Sequence, residues 1–160
     1  MRKALSLIFT LFISACVYAQ SADVVTEILE SNEISYGQAA YLSACHQNII
    51  SDDAGYEEAL QILISVGQVS SKVSPEDAIR GDELAEIYLQ MWPEIKAGFM
   101  YRLTKGAPRY AFKKLKSDGI VDEKADPSKT LSGIQALNIL TACMLEYGSE
   151  EESMSMDLGE

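Results

Sequence analysis

The sequence predicts an all-α protein: a compact bundle of repeated helix-loop-helix units with pseudo-repeat symmetry, preceded by a signal peptide. Three observations predict it. Apolar residues recur at three- and four-residue spacing in segment after segment, the period of a helix with one buried face. The landmarks of the stretch from Gly67 to Met91 return 52 residues later, from Gly119 onward. The N-terminus sets a short positive region, an apolar run and a small-residue cleavage site in the order that export requires.

That N-terminal segment has Arg2 and Lys3 ahead of an apolar run from Ala4 to Ala15, then Val17-Tyr18-Ala19 as a cleavage site. The run is too short for a membrane-spanning helix. A second reading shares the segment: Ile13-Ser14-Ala15-Cys16 resembles a bacterial lipobox, which makes Cys16 a lipidated mature N-terminus and 1–15 its signal. Two or more acyl chains suffice for stable anchoring. Both readings, a signal peptide over 1–19 or a lipoprotein signal over 1–15, place the protein outside the cytoplasm, in a periplasm or at a cell surface.

Residues 20–148 form the predicted helical domain. Val24, Val25, Ile28 and Leu29 share one face of a short first helix that Ser31-Asn32 stops. Ser35 with Gln38 is a capping box, in which each side chain satisfies the other's backbone N–H. It opens a small-residue helix through Ala39, Ala40, Leu42 and Ala44 to about His46. His46 is the sole histidine, has no partner cluster near it in sequence, and reads as a helix-end or surface residue. Tyr56 to Val66 is a helix with Ala59, Leu60, Leu63 and Ile64 on one face, closed by Gly67. Pro75 is read as a helix opener, with Leu84, Ala85, Ile87, Tyr88 and Met91 on the apolar face behind it. Tyr110 to Lys116 is a short helix stopped by Asp118-Gly119. Ser132 and Gln135 make a second capping box, followed by Ala136, Leu137, Ile139, Leu140, Cys143 and Met144, with Gly148 as the expected stop. Residues 149–160 carry five carboxylates and no base, the composition of a disordered acidic tail.

Shifted by 52, Gly67 meets Gly119, Pro75 meets Pro127, Ile79 meets Leu131, Gly81 meets Gly133 and Ile87 meets Ile139. Ile34, Gln38, Ala40 and Leu42 repeat the same pattern 45 residues before Ile79, Glu83, Ala85 and Ile87. The chain thus divides into a half-unit at 33–46 and units at 56–91 and 110–145, whose apolar faces are expected to bury one another. A helix, a Gly-Ile-Val turn (Gly119-Ile120-Val121), a loop with Pro, and a cap followed three residues on by Gln-Ala-Leu (Ser132, then Gln135-Ala136-Leu137) resembles the S-layer homology repeat. The resemblance implies a pseudo-threefold helical module at the cell envelope. The family's glycan-binding arginine would fall at Tyr36, Gly81 and Gly133, so this chain lacks it in every unit.

Lys and Arg number 13 against 24 Asp and Glu, a net charge of −11, which argues against general nucleic-acid binding. One window opposes that balance. Between Ile95 and Ser117 there is no carboxylate, yet Lys96, Arg102, Lys105, Arg109, Lys113, Lys114 and Lys116 are there, interleaved with Phe99, Tyr101, Tyr110 and Phe112 and preceded by Trp92. Such an island suits an anionic group, since Arg forks match carboxylates and phosphates. Trp92, Tyr101, Arg102, Lys105, Arg109 and Tyr110 are the candidate ligand-binding residues. The competing reading places the aromatics in the core and leaves the bases as charge balance.

Cys45 and Cys143 remain beyond Cys16. In an oxidising compartment they are candidates for a disulfide, and equally for two buried small side chains. No catalytic constellation, metal-ligand spacing or phosphate loop is present in the sequence, and no cofactor is implied. The expectation is a non-enzymatic exported protein that binds an anionic glycan, lipid head group or acidic protein through 92–116. A structural or scaffolding lipoprotein, or a protein–protein module without a small ligand, is the alternative, and an envelope hydrolase is third. Partners are then an envelope polymer or envelope protein, with no nucleic acid, and the membrane is reached only through Cys16.

Overall fold

The computed structural model describes residues 23–51, 54–93, 95, 101, 103 and 106–157, with 149–157 by backbone alone. The expected leader with Cys16, the candidate residues Arg102 and Lys105, and 158–160 of the expected tail lie outside the described residues. Among the described residues the fold is all-helical: α1 (23–30), α2 (Tyr36–His46), α3 (Tyr56–Ser65), α4 (Gly81–Leu89), α5 (Pro108–Ser117) and α6 (Gly133–Asp157). No strand occurs among them, only isolated antiparallel bridges at Ser35–Ala78 and Arg80–Thr130.

Helix α2 is buried on nearly every side, from Tyr36 to Ala44. Its small residues Ala39, Ala40, Ser43 and Ala44 let neighbouring helices come close, and a helix apolar all round belongs in the middle of a core. It packs chiefly on α3, and α4 packs chiefly on α5; α4 also touches α2 and α6. The faces read from periodicity are buried at Ala59, Leu60 and Leu63 on α3, Leu84, Ala85, Ile87 and Tyr88 on α4, and Ala136, Leu140 and Cys143 on α6; Ile64, Leu137 and Ile139 are half-buried, and Met144, expected on the α6 face, is exposed. On α1 only Ile28 is fully enclosed, while Val25 and Leu29 face solvent.

The helices are tied together by the extended residues that precede three of them. The Ile34 N–H donates to the Leu131 carbonyl at 2.7 Å, and the Ile79 N–H donates to the Ile34 carbonyl at 3.0 Å. Beside this junction, Tyr36 and Gly37 donate to the carbonyls of Asp77 and Pro75, while Gly81 and Asp82 donate to those of Lys129 and Pro127. Ile34 and Ile79 are fully buried there. Loop backbone is therefore paired with loop backbone where water cannot reach it, as a buried polar chain requires.

Both front helices end alike. After α3 the Gln68 N–H reaches the Leu63 carbonyl at 2.9 Å, and after α5 the Ile120 N–H reaches the Leu115 carbonyl at 2.9 Å. Gly67 and Gly119 are left-handed, with φ of 79° and 76°. This is the Schellman closure, which asks for glycine at the left-handed position. Pro75 does not open a helix: it heads a turn, and α4 starts only at Gly81. The front helix of the second unit starts at Pro108, earlier than Tyr110, with proline in the first turn.

Two capping boxes form as expected. Gln38 N–H donates to Ser35 Oγ and Ser35 N–H to Gln38 Oε1 at 3.2 and 3.1 Å. Gln135 N–H donates to Ser132 Oγ and Ser132 N–H to Gln135 Oε1 at 3.3 and 3.0 Å. At α4 the cap position is Arg80, whose guanidinium has no acceptor to offer. Glu83 accepts from the Arg80 N–H, and Asp82 Oδ1 takes the Glu83 N–H. Ser132→Ala is expected to lower stability by about 1 kcal/mol, read as a shifted urea midpoint with unchanged slope.

Two expectations are corrected. Cys45 and Cys143 are not joined; both are thiols. Cys143 lies sealed in the core on α6, whereas Cys45 is half-buried near the end of α2. Nor does Gly148 stop α6, which runs on to Asp157. Gly148 does not take the positive φ that ends α3 and α5, and the Glu- and Met-rich stretch after it is compatible with helix.

Candidate functional site

A cleft of about 240 Å³ opens where α4 ends. Leu89, Gln90, Trp92 and Pro93 come from the end of α4 and the turn behind it, Gln68 from the turn after α3, and Tyr101 and Ile95 from the segment leading to α5. Its described lining is aromatic, aliphatic and amide, with no charge.

Trp92 is 3 % exposed and forms a wall of this cleft more than a protruding platform. Its ring is braced from two sides, by His46 at 4.9 Å between centroids and by Tyr147 at 5.6 Å. Tyr147 in turn donates to Asp118 Oδ2 at 2.5 Å, and Lys114 Nζ holds both Asp118 oxygens at 2.7 and 2.8 Å. Asp118 is held below the usual carboxylate range: its burial is outweighed by the Lys114 and Tyr147 hydrogen bonds. His46, in the last turn of α2, thus serves as an aromatic brace for Trp92.

The amides are fixed as well. Gln47 and Gln68 exchange reciprocal side-chain hydrogen bonds at 3.1 and 3.0 Å. Gln47 is anchored on buried Ser43, and Gln90 Nε2 donates to the Gln68 carbonyl at 3.3 Å. Tyr101 accepts the Gly106 N–H on its carbonyl, and an added side-chain carbon on Gly106 would sit 3.3 Å from its hydroxyl. Gly106 is left-handed, φ 87°, and turns the chain into α5 at that point.

The candidate residues therefore separate. Trp92 and Tyr101 meet in one cleft. Arg109 is exposed in the first turn of α5, a few residues past the Gly106 turn, and Tyr110 is half-buried there with Lys113 over its ring at 5.5 Å. Of the other bases in the island, Lys114 is spent on Asp118 and Lys116 on the Glu123 carbonyl at 2.8 Å. Phe112 is core, as the competing reading of the aromatics holds.

The island-centred reading missed Gln68, Gln90 and Glu86. Glu86 on α4 and Gln90, its C-cap, lie one helical turn apart and share the face that leads to Trp92. That spacing was the available signal. Glu86 is half-buried and forms no ion pair among the described residues; burial, then Glu83 and Asp82, push its carboxyl up to about 7. The folded chain therefore holds this proton more tightly than the unfolded chain does. Its contribution is complete below the unfolded value near 4.5 and is lost as pH rises through 7. With the discount that half-exposure demands, Glu86→Gln is expected to gain about 1 kcal/mol at pH 8 and nothing at pH 4. Thermal melts across that range read the flattened slope.

No protein-family model matches this chain, and neither the curated proteins nor the solved structures include a significant match to it. Among the described residues, no group of three or more His, Cys, Asp or Glu could hold a metal ion, and no helix is long and apolar enough to cross a membrane.

Proposed function

We propose that the chain is an exported, non-enzymatic helical module that binds an anionic cell-envelope component at the Trp92–Tyr101 cleft, with exposed Arg109, in the first turn of α5, as the cation for its anionic group. The observation that carries this reading is the cleft itself. A braced indole, a tyrosine and pre-fixed amides suit a ligand with flat apolar faces and hydroxyl or amide edges, a glycan above all. Pinned side chains lose little freedom on binding. Arg109, exposed a few residues past the Gly106 turn, would take the ligand's anionic group. Binding at this cleft narrows the expectation drawn from the whole basic window, since Lys114 and Lys116 already have partners within the fold.

The helical units are read as a half-unit and two full units in a pseudo-threefold arrangement. In support, α3 and α5 are offset by 52 residues at both ends, and their closing hydrogen bonds carry the same offset. The resemblance to S-layer homology repeats fits this arrangement. The family's arginine positions are occupied here by Tyr36, Gly81 and Gly133, all buried, so recognition is assigned to the cleft instead.

The test is a pull-down of the mature protein on purified envelope polymer. Retention should fall about tenfold with Tyr101→Ala, which removes a stacking face worth roughly 1–1.5 kcal/mol, and should weaken as salt rises. Retention unchanged by Tyr101→Ala and by Gln90→Ala would overturn the assignment. A second reading, docking to another envelope protein, is favoured by the exposed Ile134, Met144 and Leu145 of α6, the last 75 % exposed. Under that reading, Leu145→Glu abolishes capture of the partner and Tyr101→Ala does not.

A further inference from the structure

The two front helices and their loops are built alike, yet one interior is full and the other is open. Leu60, Ile79 and Ile87 are sealed in the core. The residues 52 positions later are Phe112, Leu131 and Ile139. Phe112 is sealed, but Leu131 and Ile139 are only half-buried, and a cleft of about 270 Å³ lies over them. Val121 and Ala125 complete its apolar floor.

The polar rim is unevenly committed. Asp126 Oδ1 accepts from the Ser128 N–H and hydroxyl at 3.0 and 2.6 Å, which with nearby Lys129 holds its carboxyl below the usual range. Thr130 Oγ1 donates to Glu33, and Gln135 is occupied by the Ser132 capping box. Lys124 and Lys129 also border the cleft and form no ion pair among the described residues. Two cations thus face one carboxylate, Asp126, and the rim keeps a net positive charge.

We propose that this second cleft binds a small amphiphile with one anionic group, an aliphatic carboxylate, its chain on Leu131 and Ile139 and its carboxylate between Lys124 and Lys129. The net positive charge of the rim selects this occupant: an uncharged tail would leave that excess unbalanced, and a cationic one would add to it. The size is at the small end of ligand pockets, which run upward from about 300 Å³, so the chain is short. This site uses none of the residues of the Trp92–Tyr101 cleft.

Titrating the mature protein with octanoate, octylammonium and octanol, followed by amide NMR shifts, tests it. Octanoate should move the amides of 121–131 and of the start of α6 saturably, and octylammonium should not. The double variant Lys124→Glu/Lys129→Glu, both exposed and so harmless to folding, should weaken octanoate about tenfold. Ile139→Phe, which fills the floor, should abolish the shifts. Equal response to octanoate and octylammonium, shifts that survive both variants, or shifts that track protein concentration through self-association would overturn the proposal.

Discussion

Gly133→Ala is expected to cost the fold about 4 kcal/mol, the scale of the largest single-site effects. A side-chain carbon at Gly133 would lie 1.6 Å from the Ile28 carbonyl oxygen, far inside van der Waals contact. The obstacle is backbone, so no side-chain rotation relieves it. The same glycine donates its N–H to the Ser31 carbonyl at 3.0 Å, clamping the end of α1 to the start of α6. Alanine must push α1 away, break that bond and uncover Ile28. Urea unfolding reads the loss, and limited proteolysis should show new cuts within 23–32. Gly148→Ala is the internal control: nothing lies near its added carbon and it is helical, so stability should rise by about 0.5–1 kcal/mol. Equal effects at the two sites would contradict the close approach.

The second large effect is at the middle of the bundle. Leu84 is fully buried on α4, the helix that touches α2, α5 and α6. Leu84→Ala removes buried methylene and methyl groups and leaves a void that three neighbouring helices cannot all close. About 3 kcal/mol is expected, within the range of buried leucine truncations. Leu145→Ala, on an exposed part of α6, should change stability by less than about 0.5 kcal/mol. Denaturant midpoints of the pair measure the contrast.

What the sequence made legible was short-range. Ser35 with Gln38 and Ser132 with Gln135 announce helix starts because both partners of each bond lie within three residues. The buried faces of α3 and α4 follow from a period that any packed helix must obey. Gly67 and Gly119 mark ends because a left-handed residue favours glycine. Pro75 misled because proline suits a turn and a first helical residue equally. Gly148 misled because glycine is a stop only where the backbone turns left-handed.

The site was less legible, since it depends on which distant residues meet. Trp92 stands out in sequence for its place before a basic run, but its packing on His46 and Tyr147 joins the end of α2, the turn after α4 and the middle of α6, three places far apart in the chain. The Gln47–Gln68 exchange spans 21 residues and leaves no local pattern. The charges of 95–117 look alike in sequence, and the fold divides them: Lys114 and Lys116 are tied inward, while Arg109 is exposed.

Trp92 is the only tryptophan, so its emission reports on the cleft alone. Titrating the mature protein with soluble envelope glycan should give a saturable change in that emission, and Tyr101→Ala should remove it while the thermal melt stays cooperative. Retention on the polymer with no change in Trp92 emission, or a change that Tyr101→Ala leaves intact, would contradict a ligand held at this cleft.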